Sequence, residues 1–85
     1  MNKDRSRWEI IMDLLKVTKE EKRAKKTRIM QRAYLDYRNF QRYFDYLLEE
    51  GFIVKINADS ESFGLTEKGN ELLNRLKEVN ELLSV

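Results

Sequence analysis

The sequence contains no cysteine and no histidine. Without cysteine there is no disulfide framework and no thiolate chemistry. Without histidine the chain lacks the commonest general base and the commonest zinc ligand. An enzyme would have to work with carboxylates, lysines and tyrosines alone, and no pair of these stands apart in an apolar setting. The expectation is a non-enzymatic protein that needs no cofactor and no metal. No apolar run reaches the roughly 18 residues of a membrane span. None follows a basic start as in a secretory signal either. A cytoplasmic compartment is expected. Glutamine is scarce among many Lys, Arg and Glu, a balance leaning towards a thermophile, although six asparagines offset it.

What is present suits one small domain of 85 residues. A core of this size is marginal alone, so oligomerisation is expected. The net charge of +2 hides an asymmetry. Residues 1–42 carry 13 Lys and Arg against 6 Asp and Glu, and residues 43–85 carry 4 against 9. A basic half joined to an acidic half implies one face turned to a polyanion.

The organising stretch is residues 27–52, TRIMQRAYLDYRNFQRYFDYLLEEGF. Thr27 is suited to cap a short helix carrying Ile29, Met30 and Ala33 on one side. Residues 34–36 break that pattern, and Asp36 is suited to cap a second helix over 37–50. Phe40, Phe44, Leu47 and Leu48 then form its buried stripe, with Tyr43 beside them. Gly51 is placed to end the helix. The opposite face shows Arg38, Gln41, Arg42 and Asp45. Short helix, tight turn and longer helix make a helix-turn-helix, whose second helix enters a major groove.

Before this unit, residues 1–4 read as frayed. Ser6 is suited to cap a first helix over 7–18, with Trp8, Ile11, Met12, Leu15 and Val17 on its apolar side. Trp8 reads as a core anchor. The run KEEKRAKK, residues 19–26, has no apolar period and reads as a loop or helix end. Its position just before Thr27 would put Lys25 and Lys26 near a phosphate backbone.

After Gly51, Phe52, Val54 and Ile56 alternate with Ile53, Lys55 and Asn57, a strand signal. Residues 58–61 form a turn and residues 62–65 a returning strand, completing a hairpin wing. A third strand near Lys26 and Thr27 is left open. Thr66 is suited to cap a last helix in which Leu72, Leu76, Val79 and Leu83 make a short heptad-like seam, with Leu73 and Leu82 alongside. The expected fold is α+β and mainly α. Residues 5–65 form a winged helix-turn-helix of three helices and a β-hairpin, and residues 66–85 a C-terminal dimerisation helix.

The succession RSRWEIIMDLL, KKTRIMQRAYLDYRNFQRYFDYLLEEGF and LTEKGNELL resembles archaeal winged-helix regulators of the ArnR-like kind. It also resembles the related small chromatin-associated winged-helix proteins of Sulfolobus. The resemblance runs from about Arg5 to Leu83, and residues 26–30 and 65–69 are its most telling pieces. It implies a winged-helix fold, a homodimer formed through the C-terminal helix, and double-stranded DNA binding at the nucleoid. One departure stands out. The wing tip carries Asp59 and Glu61 where Lys or Arg would meet phosphate, and Lys55 is the only basic residue of the hairpin.

On this reading Lys25, Lys26, Arg28, Gln31 and Arg32 hold phosphates, while Arg38, Gln41 and Arg42 face base edges. Tyr37 either touches DNA or packs. Tyr34 and Tyr46 read as packing residues. The alternative function is a winged-helix protein-interaction module, which the acidic wing and last helix would suit. A strand that interleaves basic and aromatic residues for RNA stacking is not seen.

Overall fold

The computed structural model describes residues 5–57 and 61–83. Helix α1 (Arg7–Glu21) starts in a capping box. Ser6 Oγ accepts from the Glu9 amide, and the Glu9 carboxylate accepts from the Ser6 amide. Strand β1 (Ala24–Lys25) leads directly into α2 (Lys26–Arg32), a turn follows, and α3 spans Tyr37–Glu49. Strands β2 (Ile53–Asn57) and β3 (Ser62–Leu65) form the wing, and α4 (Glu67–Leu83) closes the described chain. The antiparallel sheet has the order β1-β3-β2. This is a mainly helical α+β fold, as expected, and its wing sheet has three strands.

The basic run 19–26 is divided among three elements. Residues 19–21 extend α1 by nearly a turn beyond the expected end. Lys22, at φ 66°, stops the helix. Ala24, the one apolar residue of the run, turns into the core and pairs with Phe63. The open third strand therefore exists, two residues earlier than Lys26 and Thr27. That pairing also corrects the start of α2. Lys25, extended at φ −81° and ψ 152° because it lies in the sheet, is the N-cap without a side-chain bond, and Thr27 lies inside the helix.

Helices α2 and α3 both end in the same way. The Tyr34 amide donates to the Gln31 carbonyl and the Leu35 amide to Met30. The Gly51 amide donates to Leu48 and the Phe52 amide to Leu47. Each is a Schellman turn through a left-handed residue, Tyr34 at φ 56° and Gly51 at φ 81°. Asp36 caps α3 by accepting from the Asn39 amide at 2.8 Å.

The core lies between α3, the sheet, α1 and the first half of α4. Phe40 stacks on Phe44 at 4.9 Å between centroids, and Phe44 meets the edge of Phe63 at 5.0 Å. Ile11, Leu14, Leu15, Leu47, Ile53 and Leu73 close around them. Thr18 is buried too, its hydroxyl donating to the Leu14 carbonyl at 2.7 Å. Two expectations are corrected. Trp8 is not a core anchor but is 55% exposed, and Tyr34 is not packed but 86% exposed. In β2 the buried residue is Ile53, while Val54 and Ile56 lie on the open face of an edge strand. The expected fraying of residues 1–4, and the turn residues 58–60 with Asp59, fall outside the described residues.

Candidate nucleic-acid interface

The buried stripe of α3 determines its free face. With Phe40, Phe44 and Leu47 turned inward, Arg38, Arg42 and Asp45 are exposed and Gln41 lies at the margin. Arg38 and Arg42 have no carboxylate partner among the described residues. Gln41 is engaged differently, since its Nε2 donates to Asp45 Oδ1 at 2.8 Å. Tyr37 stands exposed in the first turn of α3, and Tyr34 stands exposed in the turn before it.

The basic residues of α2 are placed less freely. Arg28 Nε lies 3.2 Å from Glu21 Oε2. Arg32 reaches Glu20 at 2.9 Å and Glu21 at 3.1 Å. Hydrogen bonds that Arg32 donates to Glu20 and then Glu21 hold its guanidinium above its ordinary pKa. The half-buried Lys26 places its ammonium 5.5 Å from the centre of the Phe44 ring. Lys25 and Gln31 are exposed. The structure thus collects Tyr37, Arg38, Gln41 and Arg42 on one helix face, whereas Arg28 and Arg32 turn towards the end of α1. Sequence reasoning missed the role of Glu20 and Glu21, which lie 7 to 12 residues away along the chain. It also missed Tyr34, whose only signal was an aromatic residue at the position where a helix ends.

The last helix is fastened at its start by the segment 65–69. Thr66 Oγ1 accepts from the Gly69 amide at 3.0 Å and donates to the Gly51 carbonyl at 2.6 Å. Lys68 Nζ donates to the Glu50 carbonyl at 2.7 Å and sits 4.7 Å from the Phe52 ring centre. The seam then divides. Leu73 is buried and Leu72 and Leu76 are half-buried, but Val79 is 51% exposed and Leu82 and Leu83 are each 77% exposed. Between Trp8 and Met12 of α1 and Leu76, Val79 and Leu83 of α4 runs an apolar groove.

Two helices joined by a tight turn, with a hairpin beside them and a free polar face on the second helix, define a winged helix-turn-helix protein. The chain belongs to the winged helix-turn-helix family, whose model matches residues 4–84. It is 44% identical over 80 residues to the uncharacterized protein MJ0287 of Methanocaldococcus jannaschii, covering 94% of this chain and 78% of that one. To MJ0290 of the same organism it is 42% identical over 74 residues, which is 87% of this chain but 33% of that longer protein. Among solved structures it is similar to Sso10a-2, a DNA-binding protein from Sulfolobus solfataricus. The TM-score is 0.79 at 28% identity, covering 92% of this chain and 81% of that one. The resemblance to archaeal winged helix-turn-helix proteins therefore holds. Among the described residues no group of His, Cys, Asp or Glu is placed to hold a metal ion, and no helix is long and apolar enough to cross a membrane.

Proposed function

We propose that the protein binds double-stranded DNA as a homodimer and serves as a small transcriptional regulator at the nucleoid. The observation that carries this reading is the pair Arg38 and Arg42, exposed on the outer face of α3 with no carboxylate partner among the described residues. A helix following a tight turn presents its N-terminal half to a major groove, where Arg is suited to guanine. The likeness to Sso10a-2, itself a DNA-binding protein, supports the same reading. Lys25, Lys26, Arg28, Gln31 and Arg32 supply the phosphate contacts, with Arg28 and Arg32 exchanging Glu20 and Glu21 for phosphate. Tyr37 lies close enough to the reading face to join them.

The dimer reading rests on the outer part of α4. Val79, Leu82 and Leu83 leave apolar surface in water beside the α1–α4 groove, and such surface gains by being covered. A second copy of α4 is the proposed cover, which also gives two recognition helices for two half-sites. The test is selection of bound sequences from a random duplex pool, followed by affinity measurement at several salt concentrations. A sharp consensus supports a regulator, and tight binding without consensus indicates an architectural protein. Absence of binding even at low salt would move the protein-interaction reading to first place.

A further inference from the structure

A second surface feature borders the recognition face at Arg42 and the α1–α4 groove at Trp8. A cavity of about 310 Å³ opens between the start of α1 and the middle of α3, lined by Arg7, Trp8, Ile11, Arg42, Tyr43 and Tyr46. The lining contains two guanidinium groups and no carboxylate. Four arginines elsewhere find acids, Arg5 with Asp13, Arg28 and Arg32 with Glu21, and Arg75 with Glu71, whereas Arg23 and Arg38 pair with none among the described residues. Arg7 and Arg42 have no such partner among the described residues, and the hydroxyls of Tyr43 and Tyr46 have no hydrogen-bond partner there either. The walls are aromatic. Trp8 is exposed, and so is Tyr46. An aromatic ring inserted beside them would cover apolar surface that the fold leaves open.

We infer that this cavity is a binding site for a small aromatic carboxylate. The carboxylate lies between Arg7 and Arg42, as guanidinium forks favour, with the phenolic hydroxyls of Tyr43 and Tyr46 as further donors. The ring lies against Trp8. The volume is at the small end of ligand sites and suits a molecule of one or two rings rather than a dinucleotide. A consequence follows for DNA, and it rests on the function proposed above. Arg42 belongs both to this cavity and to the exposed face of α3, so a bound acid withdraws it from DNA. The ligand then acts as a releasing effector.

Trp8 is the only tryptophan and reports on its own site. Phenylacetate is titrated into the full chain at constant ionic strength while tryptophan emission is followed, with phenylacetamide and propionate as comparators. The expected result is a saturable change with phenylacetate and at least tenfold weaker responses to the amide and the aliphatic acid. Arg7→Gln and Arg42→Gln should each weaken phenylacetate tenfold or more, with unchanged circular dichroism. In DNA titrations phenylacetate should release the wild type but not Arg7→Gln, which still binds DNA. An equal response to phenylacetamide, or no saturable response to phenylacetate, overturns the inference. So does an Arg7→Gln variant with unweakened phenylacetate binding. If phenylacetate does not bind and Arg7→Gln instead lowers DNA affinity and flattens its salt dependence, the two arginines form a phosphate contact and the effector site is wrong. If phenylacetate binds as expected to a chain that does not bind DNA, the site stands and the DNA reading falls.

Discussion

Arg32 Nη1 lies 3.1 Å from Glu21 Oε2, joining the end of α2 to the end of α1. The same carboxylate oxygen takes Arg28 Nε at 3.2 Å, so one glutamate holds two of the arginines proposed to meet a phosphate backbone. A phosphate approaching α2 must therefore displace an internal anion before it can bind. Such exposed pairs contribute little to folding. Their effect belongs to binding, where they lower the net positive charge that α2 offers.

Glu21→Gln should release that charge. Affinity for random duplex DNA at low salt is expected to rise several-fold. Arg32 keeps its contact to Glu20 at 2.9 Å, so the slope of log affinity against log salt should steepen by up to about 0.9, for the one additional phosphate that the freed Arg28 neutralises. Arg28→Ala should do the reverse. Fluorescence anisotropy at several salt concentrations measures both, and slopes unchanged in both variants would place α2 away from the DNA.

The elements that the sequence makes legible are those defined by local chemistry. Asp36 and Gly51 bracket α3, Ser6 opens α1, and Thr66 opens α4, because a cap or a left-handed stop needs only its near neighbours. Trp8 failed for a different reason. It precedes Ile11 by three and Leu15 by seven, so its direction on α1 is suitable. It stands at the start of the helix, where α3 and α4 leave it half covered. Thr27 lost its expected cap role because a long-range pairing, Ala24 with Phe63, determines where α2 starts. Glu20 and Glu21 looked like part of a solvated charge run, and only the fold brings α2 alongside them. In the candidate site the face of α3 was readable from its period, whereas the engagement of Arg28, Arg32 and Gln41 was not.

The segment 65–69 offers a test of what holds α4 in place. Gly69 lies so close to the Phe52 carbonyl that a methyl group there would overlap it. Helical backbone and strand end therefore meet at a glycine, with Thr66 bridging to Gly51 beside it. Gly69→Ala must push α4 away from β2, and overpacking of this kind costs about 1–3 kcal/mol or more. A fall in thermal midpoint of many degrees is expected by calorimetry. A variant as stable as the wild type, or more so through the better helix propensity of alanine, would show that the backbone there relaxes freely.

Dimerisation is tested where α4 leaves its own domain. Leu73 is fully buried, so a charge there would unfold the chain and decide nothing. Val79 and Leu83 are exposed in the single chain, and Val79→Glu with Leu83→Glu should leave the fold intact while preventing association. Multi-angle light scattering should show a wild-type dimer and a variant monomer of unchanged helicity. A wild-type chain that stays monomeric at high micromolar concentration defeats the proposal.

The outer face of α3 separates reading from holding. Arg38 and Arg42 are exposed on it, one turn apart, and neither is neutralised by a carboxylate among the described residues. Gln41 lies between them in sequence but gives its amide to Asp45, so its donors are partly occupied before DNA arrives. Asp45 itself repels phosphate, which confines favourable contact to the first half of the helix. A bidentate Arg–guanine contact discriminates by about 1–3 kcal/mol, roughly 5- to 150-fold in affinity. Arg38→Ala and Arg42→Ala should therefore lower affinity for a selected site by that order while weakening random duplex much less. Gln41→Ala should cost less than either arginine, because its bond to Asp45 must first be broken. A contact made only to phosphate would weaken selected and random DNA alike and flatten the salt slope. If both arginine variants keep wild-type affinity for both kinds of duplex, with the fold intact by circular dichroism, α3 is not the recognition helix. The free face of Arg38 and Arg42 would then have to serve a protein partner.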